Sequence, residues 1–255
     1  MAHKIPQYGW IPDLPDARDH MYAAPPHVLA ALPPQVDLRS HCPPVLDQGN
    51  LGSCTANAIA NAHFFDQQQQ HARGAFLPSR LFIYYNERVM EGTVRVDAGA
   101  MIRDGIKSIA QQGVCPEQRW PYTIAKFTHK PTKPCYTDAL KHQAVSYQRL
   151  VPTLPQLQGC LASGLPFVFG FTVYESFESA EVARTGTVPM PRAHEATLGG
   201  HAVLAVGYDD AVQRFLVMNS WGTGWGMQGY FTLPYAYLAA GHLADDFWTV
   251  RTVET

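Results

Sequence analysis

Apolar residues recur at helical spacing in three proline-free segments of the first half of the chain. These segments run from Cys54 to Ala72, from Ser79 to Met90 and from Met101 to Gln111. A spacing of three to four residues between apolar positions is typical of a helix with one buried face. Ser53 stands directly before the first segment and is predicted to cap it, while Gly113 is a natural stop for the third.

The pattern changes to short apolar runs after about residue 145. The clearest of these runs, separated by glycine-rich turns, are 167–173, 202–208, 214–218 and 230–233. Short runs of this kind, rich in Val and Phe, are typical of β-strands. Helices followed by strands predict an α+β fold of two lobes, helical over about 50–145 and β over about 146–255, with a cleft between them.

The N-terminal segment 1–32 forms neither pattern and is predicted to be an extended arm. Its many prolines forbid a long helix. The arm nevertheless carries the apolar residues Tyr8, Trp10, Ile11 and Leu14. We therefore expect residues 1–32 to lie against the body of the protein, which would comprise residues 33–255, and to restrain entry into the cleft.

Composition and charge exclude several classes of protein. The chain is 46% hydrophobic and 16% charged, with a formal net charge of −2, which indicates an ordinary globular protein and no basic surface for nucleic acid or anionic membrane. Strongly apolar stretches such as Leu165–Val173 are too short for a spanning helix, which needs about 20 residues. The segment from Met1 to Tyr22 lacks the apolar core of a signal peptide. We therefore expect a cytoplasmic protein or one exported by a signal-independent route.

The five cysteines argue against a structural metal site. They are Cys42, Cys54, Cys115, Cys135 and Cys160. An odd number leaves at least one thiol free or paired between molecules. No C-x-x-C pair exists, so we expect neither a metal nor another cofactor. The sequence leaves the disulfide pairing open, although Cys115 and Cys135 flank one short segment.

Cys54 is the candidate nucleophile because it begins the first predicted helix. The unpaired N–H groups of a helix N-terminus favour a thiolate and lower its pKa. The alternative is an inert core cysteine, the common fate of a free thiol. The preceding string Q-G-N-L-G-S favours the catalytic interpretation, since Gln48 has a side-chain amide that, with the N–H of Cys54, can hold an oxyanion.

His201 and Asn219 are the candidate partners of this thiol. His201 follows two glycines and opens the apolar run A-V-L-A-V-G-Y, which places a polar ring at the mouth of a buried strand. His63, inside the first helix, is the main rival. Asn219 ends a second apolar strand and can orient the imidazole, while Trp221 can keep water from their hydrogen bond.

These three motifs together resemble those of the papain and cathepsin family of cysteine peptidases. They are Q-G-x-x-G-S-C, G-H-A-V-L-A-V-G-Y and N-S-W-G-x-x-W-G, and the resemblance covers residues 33 to about 235. The separations of His201 and Asn219 from Cys54 along the chain are near those of that family. The resemblance implies a helical left lobe, a β-barrel-like right lobe and an oxyanion hole that includes Gln48. The short arm is similar to that of compact prokaryotic members.

The chain departs from the family pattern at several positions. Leu51 and Thr55 replace a cysteine and a tryptophan that usually flank the nucleophile, and the usual disulfide partner is missing as well. The resemblance implies that the substrate backbone binds at Gly99 and Ala100, where the family has two glycines. The resemblance implies that Gly200 leaves the S2 pocket less charged than in papain itself, from which we expect an apolar P2 residue.

The sequence therefore predicts a cysteine endopeptidase acting on peptides or proteins through an acyl-enzyme on Cys54. His201 is the general acid and base in this prediction. One alternative is a non-catalytic or permanently occluded family member that binds peptides or a partner through the cleft. Another is transfer of the acyl group to an amine instead of water. The sequence does not indicate the oligomeric state.

Overall fold

The computed structural model describes residues 8–253. Positions 1–7 of the predicted arm and 254–255 of the predicted body lie outside the described residues. No helix in the described range is long and apolar enough to cross a bilayer. All five cysteines lie within it as free thiols, so Cys115 and Cys135 are not bonded to each other.

The α-helices are concentrated in the first two-thirds of the described chain. They are α1 Pro26–Leu29, α2 Cys54–Gln69, α3 Arg80–Glu91, α4 Ile102–Gln112, α5 Lys133–Ala139, α6 Leu154–Ala162, α7 Ala180–Thr185 and α8 Tyr235–Ala239. The three helices predicted from periodicity are α2, α3 and α4, and their bounds lie close to the predicted ones. Gly113 ends α4 with φ of 71°, as its position suggested.

The strands form one mostly antiparallel sheet. They are β1 Met21–Tyr22, β2 Gln35–Asp37, β3 Ala144–Leu150, β4 Phe167–Tyr174, β5 Thr197–Asp209, β6 Arg214–Met218, β7 Tyr230–Pro234 and β8 Ala244–Val253. The order is β1-β3-β8-β4-β5-β6-β7, with β2 paired to β5. Among these strands, only the short β1–β3 pairing is parallel. The predicted α+β class is confirmed.

Helix α2 is buried almost all round rather than on one face. It packs between α3, α4 and the sheet, and residues on every side of its first three turns are buried. Ser53 is the N-cap residue of α2, as predicted, but its side chain makes no capping bond, since that hydroxyl bonds to the Tyr122 hydroxyl at 2.5 Å. The side-chain amide of Asn57, one turn into the helix, instead donates to the carbonyl of Ser53 at 2.9 Å.

Two apolar clusters lie on the two sides of the sheet. One fills the space between the sheet and α6 to α8, and the other lies among α2, α3, α4 and the opposite side of the sheet. Because β5 contributes alternate residues to both clusters, its N-terminal end lies where the two packed regions meet. The register pairs Phe171 of β4 with His201 of β5. The fold thus holds His201 at the boundary of the two regions.

Candidate active site

Cys54 is the first residue of α2 and is fully buried. Backbone groups of Ala202, Gly9 and Thr55 lie close enough to its sulfur to lower the pKa of the thiol. Ala202 directly follows His201, so the nucleophile candidate and the start of β5 meet. Burial nevertheless raises the pKa of the Cys54 thiol to about 12, although these backbone groups lower it. The direction is opposite to the one predicted from the helix terminus, because loss of water outweighs the helix end.

His201 and Asn219 form a short buried hydrogen bond. Nε2 of His201 and Oδ1 of Asn219 are 2.8 Å apart, and the other ring nitrogen, Nδ1, has no partner among the described residues. The backbone N–H of Ser220 also donates to the same Asn219 oxygen at 2.9 Å. Burial lowers the pKa of His201 to about 4, against the bond to Asn219, which raises it. The ring is therefore neutral at pH 7 in this arrangement.

Aromatic rings enclose the histidine. The Trp221 ring lies 5.2 Å from it with an interplanar angle of 32°. Phe171 and Phe177 approach at 5.7 and 6.4 Å. These rings leave little room for water around the bond to Asn219, which strengthens that bond. The predicted position of Trp221 beside the histidine agrees with this geometry.

Gln48 lies buried beside the start of α2. Its Nε2 donates to the carbonyl of Leu51 at 2.9 Å, and its Oε1 accepts from the Ser220 hydroxyl at 2.6 Å. These two bonds fix the orientation of the amide and leave one of its two N–H groups for another acceptor. Ser220 was not singled out from the sequence; it adjoins Asn219, which was the only signal for it.

The arm crosses the site in an extended conformation. The N–H of Trp10 donates to the carbonyl of Gly200 at 2.8 Å, and the N–H of Ala100 donates to the carbonyl of Gly9 at 2.8 Å. The N–H of Ile11 completes the ladder at the carbonyl of Ala100, 3.0 Å away. Trp10 and Ala100 thus form a parallel bridge. The arm residues bond to both sides of the cleft.

Close backbone approach explains three glycines at this crossing. A Cβ on Gly9 would lie 1.8 Å from the carbonyl oxygen of Gly52, and one on Gly99 would lie 2.3 Å from that of Gly9. Gly99 also has φ of 75°, which favours glycine. Of the two predicted backbone-binding residues, Ala100 makes the hydrogen bonds and Gly99 provides the space. Gly200 contributes its carbonyl and a surface for the Trp10 ring.

The indole of Trp10 fills a flat pocket with a buried acid at its end. A Cβ on Gly170 would lie 1.9 Å from the ring, so the absence of a side chain there creates the pocket. The indole Nε1 donates to Oδ2 of Asp246 at 3.0 Å. Asp246 is 1% exposed, and its Oδ1 lies 3.0 Å from Arg149. This acid was not identified from the sequence, because it lies near the opposite end of the chain from Trp10.

Further polar contacts hold the arm on both sides of Trp10. The Tyr8 hydroxyl donates to Glu178, and the Tyr8 ring lies 5.9 Å from that of His201. On the other side, the N–H of Asp13 donates to Asp246 at 2.7 Å. Burial and the nearby Asp13 charge raise the pKa of Asp246 to about 7. The covered cleft thus brings two carboxyl groups together.

The remaining candidates of the sequence analysis lie away from this site. His63, the rival base, is buried in α2, and its ring bonds to Gln67 at 3.0 Å. Burial lowers its pKa to about 4. No group of three or more His, Cys, Asp or Glu side chains suited to a metal occurs within the described residues.

The arrangement is suited to nucleophilic attack on a carbonyl. A thiol at a helix start, an imidazole oriented by an amide, and a fixed amide donor are the parts that acyl transfer needs. Within residues 8–253, these groups converge at one crossing, and the arm covers it.

Comparisons with known proteins show which family the chain is similar to. A family profile described as "Papain family cysteine protease" matches residues 32–241. An uncharacterised peptidase C1-like protein of Acanthamoeba polyphaga mimivirus is 49% identical over 216 residues, which cover 82% of this chain and 70% of that protein. Cathepsin B-like CP3 of Giardia intestinalis is 32% identical over 216 residues, covering 76% and 65%.

Solved structures extend the similarity to the whole fold. The crystal structure of xylellain, a cysteine protease from Xylella fastidiosa, is 46% identical and superposes with a TM-score of 0.92. That alignment covers 99% of this chain and 98% of xylellain. Procathepsin B S9 of Trypanosoma congolense, at 18% identity and a TM-score of 0.76, shows the fold alone. The predicted resemblance to the compact prokaryotic type is confirmed.

Proposed function

Because this chain belongs to the papain family of cysteine proteases, we propose that it is an endopeptidase that uses Cys54, His201 and Asn219. The observation that carries this proposal is the buried bond of 2.8 Å between His201 and Asn219, beside a thiol at the start of α2. The peptides it cleaves enter along the groove that the arm now fills.

The reaction proceeds through an acyl-enzyme. The sulfur of Cys54 forms a bond to the peptide carbonyl carbon while His201 holds the proton of the thiol. The oxyanion accepts from the free N–H of Gln48 and from the N–H of Cys54. When the C–N bond breaks, His201 gives that proton to the leaving amine; it then takes a proton from water, whose oxygen attacks the thioester and releases Cys54.

The arm is proposed to be an intramolecular inhibitor. Tyr8, Gly9 and Trp10 occupy the space in front of Cys54 and His201, and Gly9 approaches the sulfur closely enough to lower its pKa. The same cover removes water from both groups. Burial raises the pKa of Cys54 to about 12 and lowers the pKa of His201 to about 4, so both the thiol and the imidazole are neutral. Displacement of the arm is what permits the charged pair to form.

Adding a single methyl group to Gly9 in the full chain tests both the proposed peptidase activity and the proposed inhibition by the arm. Gly9→Ala places a Cβ against the carbonyl of Gly52, so the arm cannot dock as before. Gly241→Ala is the matched control, since a Cβ there has nothing within 4 Å. We expect Gly9→Ala to raise hydrolysis of fluorogenic dipeptides at least tenfold, and Gly241→Ala to leave it unchanged. Cys54→Ala added to Gly9→Ala should abolish the activity.

The possible results separate the two proposals. Equal activity of Gly9→Ala and the unmodified chain, with Cys54 labelled equally fast by an epoxide reagent in both, would show that the arm does not inhibit. Rapid labelling of Cys54 in Gly9→Ala without hydrolysis of any peptide would contradict the peptidase. That second result would favour the occluded peptide-binding alternative, for which the arm in the cleft is the supporting observation.

The pocket of Trp10 indicates a P2 preference that differs from the apolar one expected from Gly200. When the arm leaves, Oδ2 of Asp246 loses its two donors, the Trp10 indole and the N–H of Asp13. A buried acceptor without a donor is costly. We therefore propose that the pocket favours flat P2 side chains that carry N–H groups, such as Trp and Arg, over Phe and Leu.

A substrate panel on Gly9→Ala tests this preference. With P1 fixed, we expect kcat/KM for P2 Arg and Trp to exceed that for P2 Phe and Leu about tenfold, the usual scale of one buried hydrogen bond to a charged group. Asp246→Ala should remove the difference. Asp245→Ala is the control, because Asp245 also bonds to Arg149 but is 49% exposed. A preference for Leu in the unmodified pocket would refute the proposal.

A further inference from the structure

A buried carboxyl group lies beneath the first turn of the nucleophile's helix. Glu87 of α3 is 0% exposed. Thr55, the residue after Cys54, donates its hydroxyl to Oε1 of Glu87 at 2.7 Å. Thr55 is itself 0% exposed, so neither group has water as a substitute partner. The mechanism described above uses neither residue.

The neighbouring helix leaves room for this carboxyl group. Gly105 of α4 faces it, and a Cβ at that position would lie 2.6 Å from Oε2 of Glu87 and 2.4 Å from Cδ1 of Ile59. The carboxyl group therefore occupies the junction of α2, α3 and α4. Its Oε2 has no hydrogen-bond partner among the described residues.

These surroundings favour the protonated acid. Burial raises the pKa of Glu87 well above its usual range, and the bond from Thr55 lowers it. Glu91 and Arg88 on the same helix and Asp104 on α4 are the other charged groups that face it, and two of these three are acids. A buried carboxylate with one bare oxygen costs more than a single unpaired hydroxyl. Burial and the neighbouring acids thus favour the uncharged form of Glu87 over the carboxylate.

Thr55 connects this acid to the nucleophile. Its backbone N–H, in the first turn of α2, lies close enough to the Cys54 sulfur to lower the pKa of the thiol. A negative charge on Glu87 acts in the opposite sense and raises it. Glu87 of α3 and Tyr8 of the arm are the titratable groups that act on the sulfur from other elements, and His201 adjoins Ala202, whose backbone approaches it. An uncharged Glu87 therefore holds Thr55 without opposing the thiolate.

We propose that Glu87, as an uncharged acid, is a positioning residue for the reaction: it fixes the Thr55 hydroxyl and so aims the Thr55 N–H at the attacking sulfur. Thr55 stands where this family usually has tryptophan, so the pair is a feature of this chain's own version of the motif. The inference rests on the proposed function, since it takes Cys54 as the nucleophile.

Alkylation of Cys54 by iodoacetamide tests the proposal without any peptide substrate. The measurement uses the full chain with Gly9→Ala, which exposes the thiol. Mass spectrometry of the Cys54 peptide gives the alkylation rate from pH 5 to 10 and the midpoint of its rise. The four other cysteines report on general unfolding, Cys160 above all because it is fully buried. The variants are Glu87→Gln, Glu87→Leu and Thr55→Val.

The expected results depend on the acceptor oxygen rather than on charge. Glu87→Gln keeps an uncharged acceptor for Thr55 and should leave rate and midpoint within about twofold. Glu87→Leu and Thr55→Val should each slow alkylation at pH 7 about tenfold and raise the midpoint by about one pH unit. The double variant Glu87→Leu/Thr55→Val should be alkylated no more slowly than either single variant, since each substitution removes the same bond.

Two results would overturn the proposal. Faster alkylation with a lower midpoint in Glu87→Gln would show that Glu87 carries a charge. Lower thermal stability of Glu87→Leu and Thr55→Val with an unchanged midpoint would show a role in folding only. If Glu87→Leu does not fold, as labelling of Cys160 would show, Thr55→Val decides. If the chain hydrolyses no peptide but the midpoints shift as expected, the proposed function is wrong and this inference still holds.

Discussion

The two walls of the cleft are built by different means. The helix wall, formed by residues 46–57 with α3, is held by directional polar bonds among buried side chains such as Gln48, Asn57 and Arg80. The strand wall, formed by β4, β5 and residues 219–225, is held by packed rings, with Phe177 and Trp221 against His201. Polar bonds fix the donors and the nucleophile, whereas rings exclude water from the base.

This difference predicts that the two walls respond differently to substitution. A hydrogen bond to a buried group is lost by a change of one atom, and the partner is left unpaired. An aromatic cluster tolerates apolar replacements of similar volume. Function should therefore be sensitive to small polar changes in the helix wall and less sensitive to apolar changes in the strand wall.

The largest expected effect is that of Gln48→Ala in the helix wall. In the Gly9→Ala chain we expect kcat to fall about 10²- to 10³-fold, the scale of losing one oxyanion donor. The fold should persist, because Leu51 and Ser220 lose only one partner each. Steady-state kinetics with a fluorogenic dipeptide and circular dichroism measure both. A loss below threefold would remove Gln48 from the oxyanion site.

Arg80→Met should have the next largest effect, on stability. The guanidinium bonds to Asn57 and the carbonyl of Asp47, both at 3.1 Å, and pairs with Glu117 at 3.1 Å. Removing one partner of a buried pair costs about 3 kcal/mol.

The control is Arg119→Met, whose salt bridge to Asp138 is 55% exposed on the arginine side and should contribute under about 1 kcal/mol. Urea unfolding of both variants gives the comparison. Equal losses of unfolding free energy in the two variants would mean that the polar network of the helix wall contributes no more than an exposed salt bridge.

The pH dependence of thiol alkylation compares the walls within one experiment. In the covered chain the pKa of Cys54 is about 12 and that of His201 about 4. Between these values the thiolate fraction rises with pH, so the rate should rise about tenfold per pH unit through neutrality. In Gly9→Ala the rise should come at lower pH and then level off. If the alkylation rate of the unmodified chain instead reached a plateau at pH 7, burial would not be the reason that Cys54 is unreactive.

Phe177→Leu in the strand wall should have the smallest effect. Phe177 is 1% exposed and packs against Trp221 and Trp225 at 5.3 and 5.4 Å. We expect a loss of about 1 kcal/mol, or roughly fivefold in the unfolding equilibrium, with kcat/KM nearly unchanged. Thermal unfolding and dipeptide hydrolysis provide the test. A hundredfold loss of activity would show that the rings do more than exclude water.

Much of the fold was predictable because local patterns decide it. The helices α2, α3 and α4 and the strands β4 to β7 each show a clear period or apolar run. The strand β8 was missed, although it lies between β3 and β4 in the sheet. Its sequence A-D-D-F-W-T-V-R-T-V carries charges at both ends, because Asp246 and Arg251 serve contacts that are distant along the chain.

The positions of the candidate site residues were predictable, but their electrostatics were not. Cys54, His201, Asn219 and Gln48 lie in recognisable strings, and the structure bonds His201 to Asn219 and Gln48 to Ser220. The sign of the Cys54 pKa shift was not predictable, since it depends on burial by segments that lie far from Cys54 along the chain. Likewise, the Ser53 side chain bonds to Tyr122, which is distant along the chain, instead of making a capping bond to the helix.

The arm is fastened at its downstream end by features independent of the cleft. Met21 and Tyr22 pair with β3, and Asp19 bonds to Arg103 at 2.6 Å with both side chains nearly buried. A segment lifted from the groove thus stays on a short tether, at an effective concentration on the order of millimolar. If the arm inhibits as proposed, micromolar substrates compete poorly with it, and dilution of the protein does not weaken the inhibition. Cleavage of the chain between the groove and Asp19 would therefore free the groove permanently, whereas weaker contacts within the groove would not.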